Sequence, residues 1–397
     1  MRSLGFFFRR LGLALAAVLV FGFAPAMLGF YGPYAKRYAA TFTTNPFSPA
    51  YRWYDLREPV RGGGTAPLAL ADPRSDPFRP GVLEAAADYA EAHASDALIV
   101  LHRGQLVFER YWNGKSADSR FAAHSMTKTL NAILIGHVVA DGRIRSIDDP
   151  AYFYLAEWDR EPYRVITIRH LLNMASGLDE GDGIWPWSPR IRRTIGTDIV
   201  TANLATPVAG PPGVVFEHIN PPAALLGVII ERATGRRYTE YLSEKFWQPI
   251  GARDAELILD RPGGMVHTDC CMWTTIQDWA RVGEALRTAG LWQGQRVIPA
   301  GWAETMVGAS PAYMNYGLML WLGNTHEPLR RYAPGRDQFA NRQSEPFAAG
   351  VFFLDGLLLQ RVWVVPDHEL VIVRTGADDP EWDDARIPNL LIRGMRL

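Results

Sequence analysis

Two pairs of strand-like runs stand near opposite ends of the sequence, and they constrain the fold more than any other feature. Residues 97–100 and 105–112 are rich in β-branched and aromatic side chains and are joined by a short turn, which is typical of a β-hairpin. Residues 357–365 and 369–374 form a second such pair. The residues between the two pairs are mostly helical or loop-like in pattern. The sequence therefore predicts an α+β fold, with one antiparallel sheet built from both termini, flanked by helices and containing an inserted, mainly helical subdomain.

The composition is that of a globular protein. Hydrophobic residues make up 48% of the 397 residues and charged residues 21%, which is enough apolar material for a large core. The 41 basic and 42 acidic side chains leave a formal net charge of −1, so the chain has no strong positive field for a nucleic-acid backbone. We therefore predict no nucleic-acid partner.

The first residues have the layout of a targeting segment. Arg2, Arg9 and Arg10 precede an uncharged, apolar run over residues 11–30. This layout fits a cleaved signal peptide and an uncleaved membrane anchor equally well, so residues 1–35 are assigned to one or the other. Both alternatives predict export, with the rest of the chain in the periplasm or anchored outside the cytoplasm. An anchor would also give membrane association through the apolar run.

The rest of the chain divides into a connector and one folded unit. Residues 36–80 are rich in proline and glycine and show no sustained period, which predicts an irregular connector. Residues 81–397 are expected to form a single domain, with the helical subdomain over roughly residues 150–300.

The chain has two cysteines, Cys270 and Cys271, which are adjacent. Adjacent cysteines do not make an ordinary disulfide framework, and no Cys/His spacing is typical of zinc. We therefore expect two buried thiols that pack as small hydrophobic groups, and we expect neither a metal nor a cofactor.

A serine and a lysine lie three residues apart at the predicted start of a buried helix. Only four of the 41 basic residues are lysines: Lys36, Lys115, Lys128 and Lys245. Ser125 and Lys128 would be neighbours on the helix surface, because residues three apart face the same side. A lysine desolvated in a pocket can take the proton of a serine hydroxyl, whereas an arginine guanidinium does not deprotonate. The pair therefore predicts a nucleophilic serine with Lys128 as its general base.

On these residues the sequence resembles the serine β-lactamase and penicillin-binding-protein superfamily, in particular its class C-related branch of esterases and 6-aminohexanoate-dimer hydrolases. The resemblance extends over about residues 97–374 and consists of separate blocks in the family's order. Besides residues 121–128, these blocks are residues 141–150, 167–178, 225–235, 278–281 and 316–317. The resemblance implies an antiparallel sheet, a mainly helical subdomain and a nucleophile in the cleft between them.

The family's second motif, Tyr-x-Asn, is altered in this chain. His218 stands at the position of the tyrosine, and Asn220 matches the asparagine. In the family the tyrosine oxygen relays a proton, and an imidazole that titrates near neutral pH can do similar work. The resemblance thus implies a catalytic set of Ser125, Lys128 and His218, although a purely structural His218 stays open. Asn220 would hold Lys128 or a substrate carbonyl.

The third motif is altered more strongly. It is a cleft-lining strand with a cationic residue and a glycine, expected near residues 356–360, where the chain has three leucines at 357–359. None of these leucines would bind a substrate carboxylate or ease a close backbone approach. The oxyanion hole is left to backbone N–H groups, those of Ser125 and Gln360. The resemblance also implies that Tyr316 lines the cleft as a substrate-binding residue, although a role as an aromatic packing residue stays open.

These features lead to one main hypothesis and two alternatives. The main hypothesis is an exported serine hydrolase that cleaves a small ester or amide through an acyl-enzyme on Ser125. The first alternative is a non-catalytic binding or regulatory member of the family, which the altered motifs keep open. The second is a true β-lactamase or DD-peptidase, which the leucines of the third motif disfavour.

Overall fold

A computed structural model of the chain describes residues 32–40, 56–183, 185–335 and 340–396. Among these residues, no helix has both the length and the apolar character needed to cross a membrane. The apolar run 11–30 lies outside the described ranges. The predictions of a signal peptide, an anchor and export depend on this segment, so they lie outside the described residues.

The largest sheet has six strands and draws them from both ends of the chain. They are β2 (Ser95–His102), β3 (Gln105–Tyr111), β9 (Trp321–Leu322), β12 (Phe352–Gly356), β13 (Gln360–Val365) and β14 (Leu370–Gly376). Their order is β3-β2-β14-β13-β12-β9, with every neighbouring pair antiparallel. The hairpins β2–β3 and β13–β14 are the two strand pairs expected from the sequence, and β2 pairs directly with β14. The predicted α+β fold is therefore confirmed.

Eight of the eleven described α-helices lie between β3 and β9. The α-helices are α1 (32–40), α2 (Val82–Ala92), α3 (Lys128–Ala140), α4 (Ile168–Leu172), α5 (Pro189–Ile195), α6 (Ile199–Leu204), α7 (Asn220–Thr234), α8 (Tyr238–Leu242), α9 (Ile276–Arg287), α10 (Trp302–Met306) and α11 (Arg386–Gly394). A 3₁₀ turn, His124–Thr127, leads into α3, and a π-helical turn, Ser243–Trp247, extends α8. Further 3₁₀ turns are Pro73–Ser75, Ala151–Phe153, Ala156–Trp158, Tyr163–Val165 and Pro366–His368.

Side-chain alternation explains how the large sheet is covered on both faces. Along β13 and β14, Val362 and Val371 point to α9, where Gly283 leaves room for their methyl groups. A side chain next along the strand points the opposite way, and Trp363 stacks there on Trp382, which precedes α11. The β13 and β14 strands are therefore buried on both faces and read as continuous apolar runs.

A second, four-stranded sheet leads the chain into the nucleophile region. Its strands are β1 (Arg57–Val60), β4 (Arg120–Ala122), β5 (Ala255–Ile258) and β6 (Met272–Thr275), in the order β1-β5-β6-β4. Strand β1 lies inside the segment predicted to be an irregular connector. It contains Pro59 and lies at the sheet edge, which is where a strand tolerates a proline. Two short strand pairs complete the sheets: β7 (Leu291–Trp292) with β8 (Gln295–Arg296), and β10 (Leu329–Arg330) with β11 (Asn341–Arg342).

A buried ion cluster joins the large sheet to the residues before α11. Arg330 and Arg361 each contact both Asp355 and Asp384, and all four side chains are at most 2% exposed. The Arg330 guanidinium lies 2.7 Å from a carboxylate oxygen of each aspartate. Burial favours the neutral acid, but the two guanidinium groups outweigh it and lower the pKa of Asp384 to about 2. The cluster therefore holds β10, β12 and β13 against the C-terminal segment as ion pairs.

Removing one charge from this cluster should destabilise the whole protein. We expect Asp384→Asn to lower the free energy of unfolding by about 3 kcal/mol or more, because two buried guanidinium groups would then share one carboxylate. The measurement is urea unfolding followed by circular dichroism. The matched control is Glu345→Gln, which breaks a half-exposed pair with Arg393 and should cost less than about 1 kcal/mol. Equal, small losses in both variants would contradict this role of the cluster.

Candidate active site

Ser125 and Lys128 come together as their spacing predicts. Ser125 lies in the 3₁₀ turn and is half-buried, while Lys128 is the first residue of α3 and is 1% exposed. The Lys128 ammonium donates a hydrogen bond to Ser125 Oγ at 2.7 Å. Ser125 is thus partly accessible to solvent, whereas Lys128, its hydrogen-bond partner, is almost completely buried.

Two further oxygens complete the surroundings of the Lys128 ammonium. It donates to Asn220 Oδ1 at 2.8 Å and to the backbone carbonyl of Asp269. An ammonium has three N–H groups, and the three acceptors account for all of them. Asn220, the first residue of α7, is fixed in turn because its backbone N–H donates to Glu180 Oε1 at 3.2 Å. The predicted contact between Asn220 and Lys128 is present in the structure.

The pKa of Lys128 is lowered to about 8, mainly because burial disfavours its charged form. The carboxylates of Asp269, Glu180 and Asp355 oppose this shift by favouring the ammonium. A lysine in free solution has a pKa of about 10.4. The site therefore makes a neutral amine accessible at mildly alkaline pH, which a solvated lysine does not.

His218 lies beside this centre but is not hydrogen-bonded to Ser125 or Lys128 among the described residues. Its backbone N–H donates to the Tyr332 carbonyl at 2.6 Å, and its ring lies 5.2 Å from the Tyr332 ring and 5.4 Å from Trp321. Burial, followed by the charge of Lys128, lowers the pKa of His218 well below its ordinary value. The imidazole is therefore neutral at physiological pH and can accept or donate a hydrogen bond.

Tyr316 lies behind His218. It is 1% exposed, its hydroxyl donates weakly to the sulfur of Met319 at 3.9 Å, and its ring packs edge-on against Trp321. The His218 and Tyr316 ring centres are 6.0 Å apart. The structure thus places Tyr316 as a support for the histidine, and its contact with substrate stays a prediction.

The three leucines of the third motif do not lie on a strand. They form the turn between β12 and β13, where Leu358 and Leu359 have positive φ angles of 62° and 61°. The guanidinium of Arg374 and the amide of Gln360 donate to carbonyls of this turn. The Gln360 amide also donates to the Gly376 carbonyl at 2.7 Å, so its side chain is engaged within the sheet. An oxyanion role for the Gln360 backbone N–H stays a prediction.

The close backbone approach that the leucines lack is supplied by Gly356. A Cβ on this residue would lie 2.4 Å from the Ala123 carbonyl oxygen and 3.3 Å from the His124 side chain. Only a glycine therefore allows the end of β12 to contact the segment just before Ser125. This contact is made one residue before the leucines, by the strand β12 itself.

The expectation of two free thiols is wrong. Cys270 and Cys271 form a disulfide, and Cys271 adopts a positive φ of 81°. The residues that follow Asp269 pack along the nucleophile turn, where the Cys271 N–H donates to the His124 carbonyl at 3.3 Å. The Met272 carbonyl accepts from the Ala123 N–H, and the Met272 N–H donates to Thr127 Oγ1 at 3.2 Å. Adjacent cysteines cannot close a long loop, but their sulfur atoms can still form a disulfide with each other. The packing of the pair against Ile195 and Ile258 agrees with its predicted apolar surroundings.

Several residues of the site had no signal in the sequence. Asp269 acts through a backbone carbonyl, which every residue has, and Glu180 lies just beyond a family block. Tyr332 touches His218 from a separate part of the chain, and its hydroxyl donates to Asp355. One group of side chains has the composition of a cation site: His267, Asp269 and Cys270.

The antiparallel sheet with its helical insertion and the Ser125–Lys128 pair at a helix start together define a serine hydrolase of the β-lactamase type. The sequence model of the Beta-lactamase family matches residues 83–393, and the chain belongs to this family.

Named relatives agree with this class. The chain is 28% identical over 308 residues to a 6-aminohexanoate-dimer hydrolase of Paenarthrobacter ureafaciens, covering 73% of this chain and 75% of that protein. It is 27% identical over 161 residues to the esterase EstB of Burkholderia gladioli, covering 36% and 40% of the two chains. A Bacillus anthracis structure described as a 6-aminohexanoate-dimer hydrolase superposes with a TM-score of 0.68 at 20% identity, covering 87% of this chain and 92% of that one. The protein is therefore a hydrolase of this family.

The pKa of Lys128 can be measured directly, because the chain has only four lysines. We expect the resonance of carbon-13-labelled Lys128 Cε to titrate with a midpoint near pH 8, the value that burial gives to this ammonium. The Lys128→Met variant, which lacks this resonance, assigns it. A midpoint at or above about pH 10 would show a solvated ammonium and contradict the buried site.

Proposed function

We propose that this protein hydrolyses a small, neutral ester or amide through an acyl-enzyme on Ser125, with Lys128 as the general base. The observation that carries the proposal is the 2.7 Å hydrogen bond between Lys128 Nζ and Ser125 Oγ at a lysine whose pKa is lowered to about 8. Asn220 and the Asp269 carbonyl hold the amine in place. The base is thereby aimed at the nucleophile before substrate arrives.

The chemistry follows from these positions. The neutral Lys128 amine takes the proton of Ser125 Oγ as that oxygen bonds to the substrate carbonyl carbon. The negative charge on the carbonyl oxygen is held by backbone N–H groups, for which Ser125 and Gln360 are the candidates. The leaving group departs with a proton, and water then cleaves the acyl-enzyme by the same steps in reverse order. No metal ion or cofactor is required by this route.

His218 is assigned to proton transfer in place of the family tyrosine. Its ring is neutral, because burial and then the nearby charge of Lys128 lower its pKa. A neutral imidazole can pass a proton between the lysine and the leaving group, as a phenol oxygen can. Its backbone bond to the Tyr332 carbonyl and its aromatic neighbours fix the ring beside the cleft.

The proposed substrate class rests on the side chains at the position of the third motif. Leu358 and Leu359 are nearly buried, and Arg374 is turned to the carbonyls of the turn rather than to the cleft. A substrate carboxylate would therefore find no cation on this turn. Relatives named as a 6-aminohexanoate-dimer hydrolase and as an esterase support an amide or an ester, respectively.

We also propose that the protein is exported and stays in the periplasm or on the outer face of a membrane. The basis is the arginine-headed apolar run over residues 11–30. The Cys270–Cys271 disulfide supports the same compartment, since disulfides persist where the surroundings are oxidising.

The roles of Ser125 and Lys128 can be tested together. We expect a fluorophosphonate to add covalently to Ser125, as detected by mass spectrometry, and Ser125→Ala to abolish both labelling and turnover. Lys128→Arg keeps a cation but has no neutral form, so turnover should fall by about 10²–10⁴-fold. The matched control is Lys245→Arg, at a surface lysine paired with Asp141, which should keep full activity.

The substrates for this test are a short-chain chromogenic ester, a linear amide and a cephalosporin. Serine-dependent cleavage of the ester or amide supports the proposal. Equal background rates for wild type and Ser125→Ala would identify a binding protein. Cleavage of the cephalosporin alone would identify a β-lactamase.

The role of His218 is tested by two substitutions. We expect His218→Ala to lower kcat at least about tenfold, because the proton relay is lost. His218→Tyr restores the family's residue and should recover part of this loss. Far-UV circular dichroism and fluorophosphonate labelling of Ser125 check that both variants are folded. Unchanged turnover in His218→Ala would remove His218 from the mechanism.

A further inference from the structure

Three metal-binding side chains meet at the segment that supports the active site. A ring nitrogen of His267, a carboxylate oxygen of Asp269 and Cys270 Sγ all lie within 4.8 Å of one another. The His267 nitrogen and the Asp269 oxygen are 3.2 Å apart, with side chains only 4% and 10% exposed. Cys270 is half-buried, so the group lies close to the protein surface at this residue.

These three ligand types match one cation well. Zinc binds imidazole nitrogen, carboxylate oxygen and thiolate sulfur at about 2.0–2.3 Å, usually with tetrahedral geometry. Ligand atoms in such a site are about 3.3–3.8 Å apart, so the present group would have to contract by about 1 Å. A carboxylate and a thiolate also balance the two positive charges of the ion, which makes a buried complex electrically neutral.

The disulfide withholds the third ligand. Cys270 Sγ is bonded to Cys271 and cannot become a thiolate until that bond is reduced. We propose that the reduced protein holds one zinc ion on His267, Asp269 and Cys270, with water as the fourth ligand, and that the Cys270–Cys271 disulfide and the zinc ion exclude each other.

The reduction can be written in full. A phosphine donates two electrons to the sulfur–sulfur bond and takes up the oxygen of one water molecule, and the two protons of that water end on the two thiols. Two molecules of a small thiol added in vitro supply the same electrons and protons and become a disulfide themselves. On binding zinc, Cys270 releases its proton to solvent, and His267 binds the ion through the lone pair of a ring nitrogen.

The position gives the site a link to the catalytic centre. Asp269 offers its side chain to this group and its backbone carbonyl to the Lys128 ammonium. Cys271, the cysteine not used as a ligand, donates its N–H to the His124 carbonyl. The segment that supports Ser125 and Lys128 thus has two covalent states, one closed by a disulfide and one able to bind metal.

The experiment uses the full chain, whose two cysteines make every thiol count unambiguous. The oxidised protein and the phosphine-reduced protein are each titrated with Zn²⁺ against a chromophoric chelator. We expect one Zn²⁺ more per chain in the reduced form. In the reduced form, Zn²⁺ should also slow the alkylation of the half-buried Cys270 by N-ethylmaleimide relative to the metal-free reduced protein, as located by peptide mass spectrometry.

Two matched variants separate the ligand from the disulfide. Cys271→Ser and Cys270→Ser both remove the disulfide, but only the first retains all three ligands. Cys271→Ser should bind Zn²⁺ without reductant, whereas Cys270→Ser and His267→Ala with reductant should bind it about tenfold or more weakly. Fluorophosphonate labelling of Ser125 and circular dichroism confirm that each variant is folded.

Equal zinc affinity of Cys270→Ser and Cys271→Ser would overturn the proposal, and so would equal zinc uptake by oxidised and reduced wild type. Neither result depends on turnover, so failure of the zinc site and failure of the hydrolase mechanism are distinguishable. If Cys271→Ser does not fold, the alkylation of reduced wild type decides, because a rate at Cys270 that Zn²⁺ leaves unchanged contradicts the assigned ligand.

Discussion

The arrangement of this site depends on one requirement, that the buried ammonium of Lys128 find an acceptor for each of its three N–H groups. The acceptors come from three distant parts of the sequence: Ser125 beside it, Asn220 at the start of α7 and the carbonyl of Asp269. An ammonium left short of a partner at this depth would cost several kcal/mol. Meeting the requirement brings the nucleophile turn, the helical part and the second sheet together at one point.

The elements around that point are held by backbone contacts. Gly356 lets the end of β12 contact the segment before Ser125, and the residues after Asp269 hydrogen-bond along the nucleophile turn on another side. Asp355, one of the four residues of the buried ion cluster, directly precedes Gly356 in the sequence. The position of Ser125 is therefore set by the core of the large sheet as well as by α3. Disturbing the core should alter the site even where no catalytic residue changes.

Features that the sequence could predict share one property: they depend on residue type at fixed spacing. The two hairpins show in β-branched runs, and Ser125 and Lys128 show in a three-residue spacing on a buried helix. The Asp269 carbonyl has no side-chain signature, so only the fold reveals it. The Cys270–Cys271 bond closes no loop between distant residues, so it has no spacing signature in the sequence. The change in the second motif can be seen in the sequence at His218. The contact between the His218 and Tyr332 rings cannot, because it joins segments that are distant in the sequence.

The two titratable groups of the site also constrain each other. Burial lowers the pKa of both Lys128 and His218, and the charge of Lys128 lowers the pKa of His218 further. Near neutral pH His218 is therefore neutral, and only Lys128 of this pair can carry a positive charge. In the proposed mechanism, a proton taken from Ser125 by the neutral amine would raise the positive charge beside a neutral imidazole, which favours passing a proton outward to the leaving group. If His218 replaces the family tyrosine as proposed, imidazole and phenol are both neutral groups that can accept one proton while donating another.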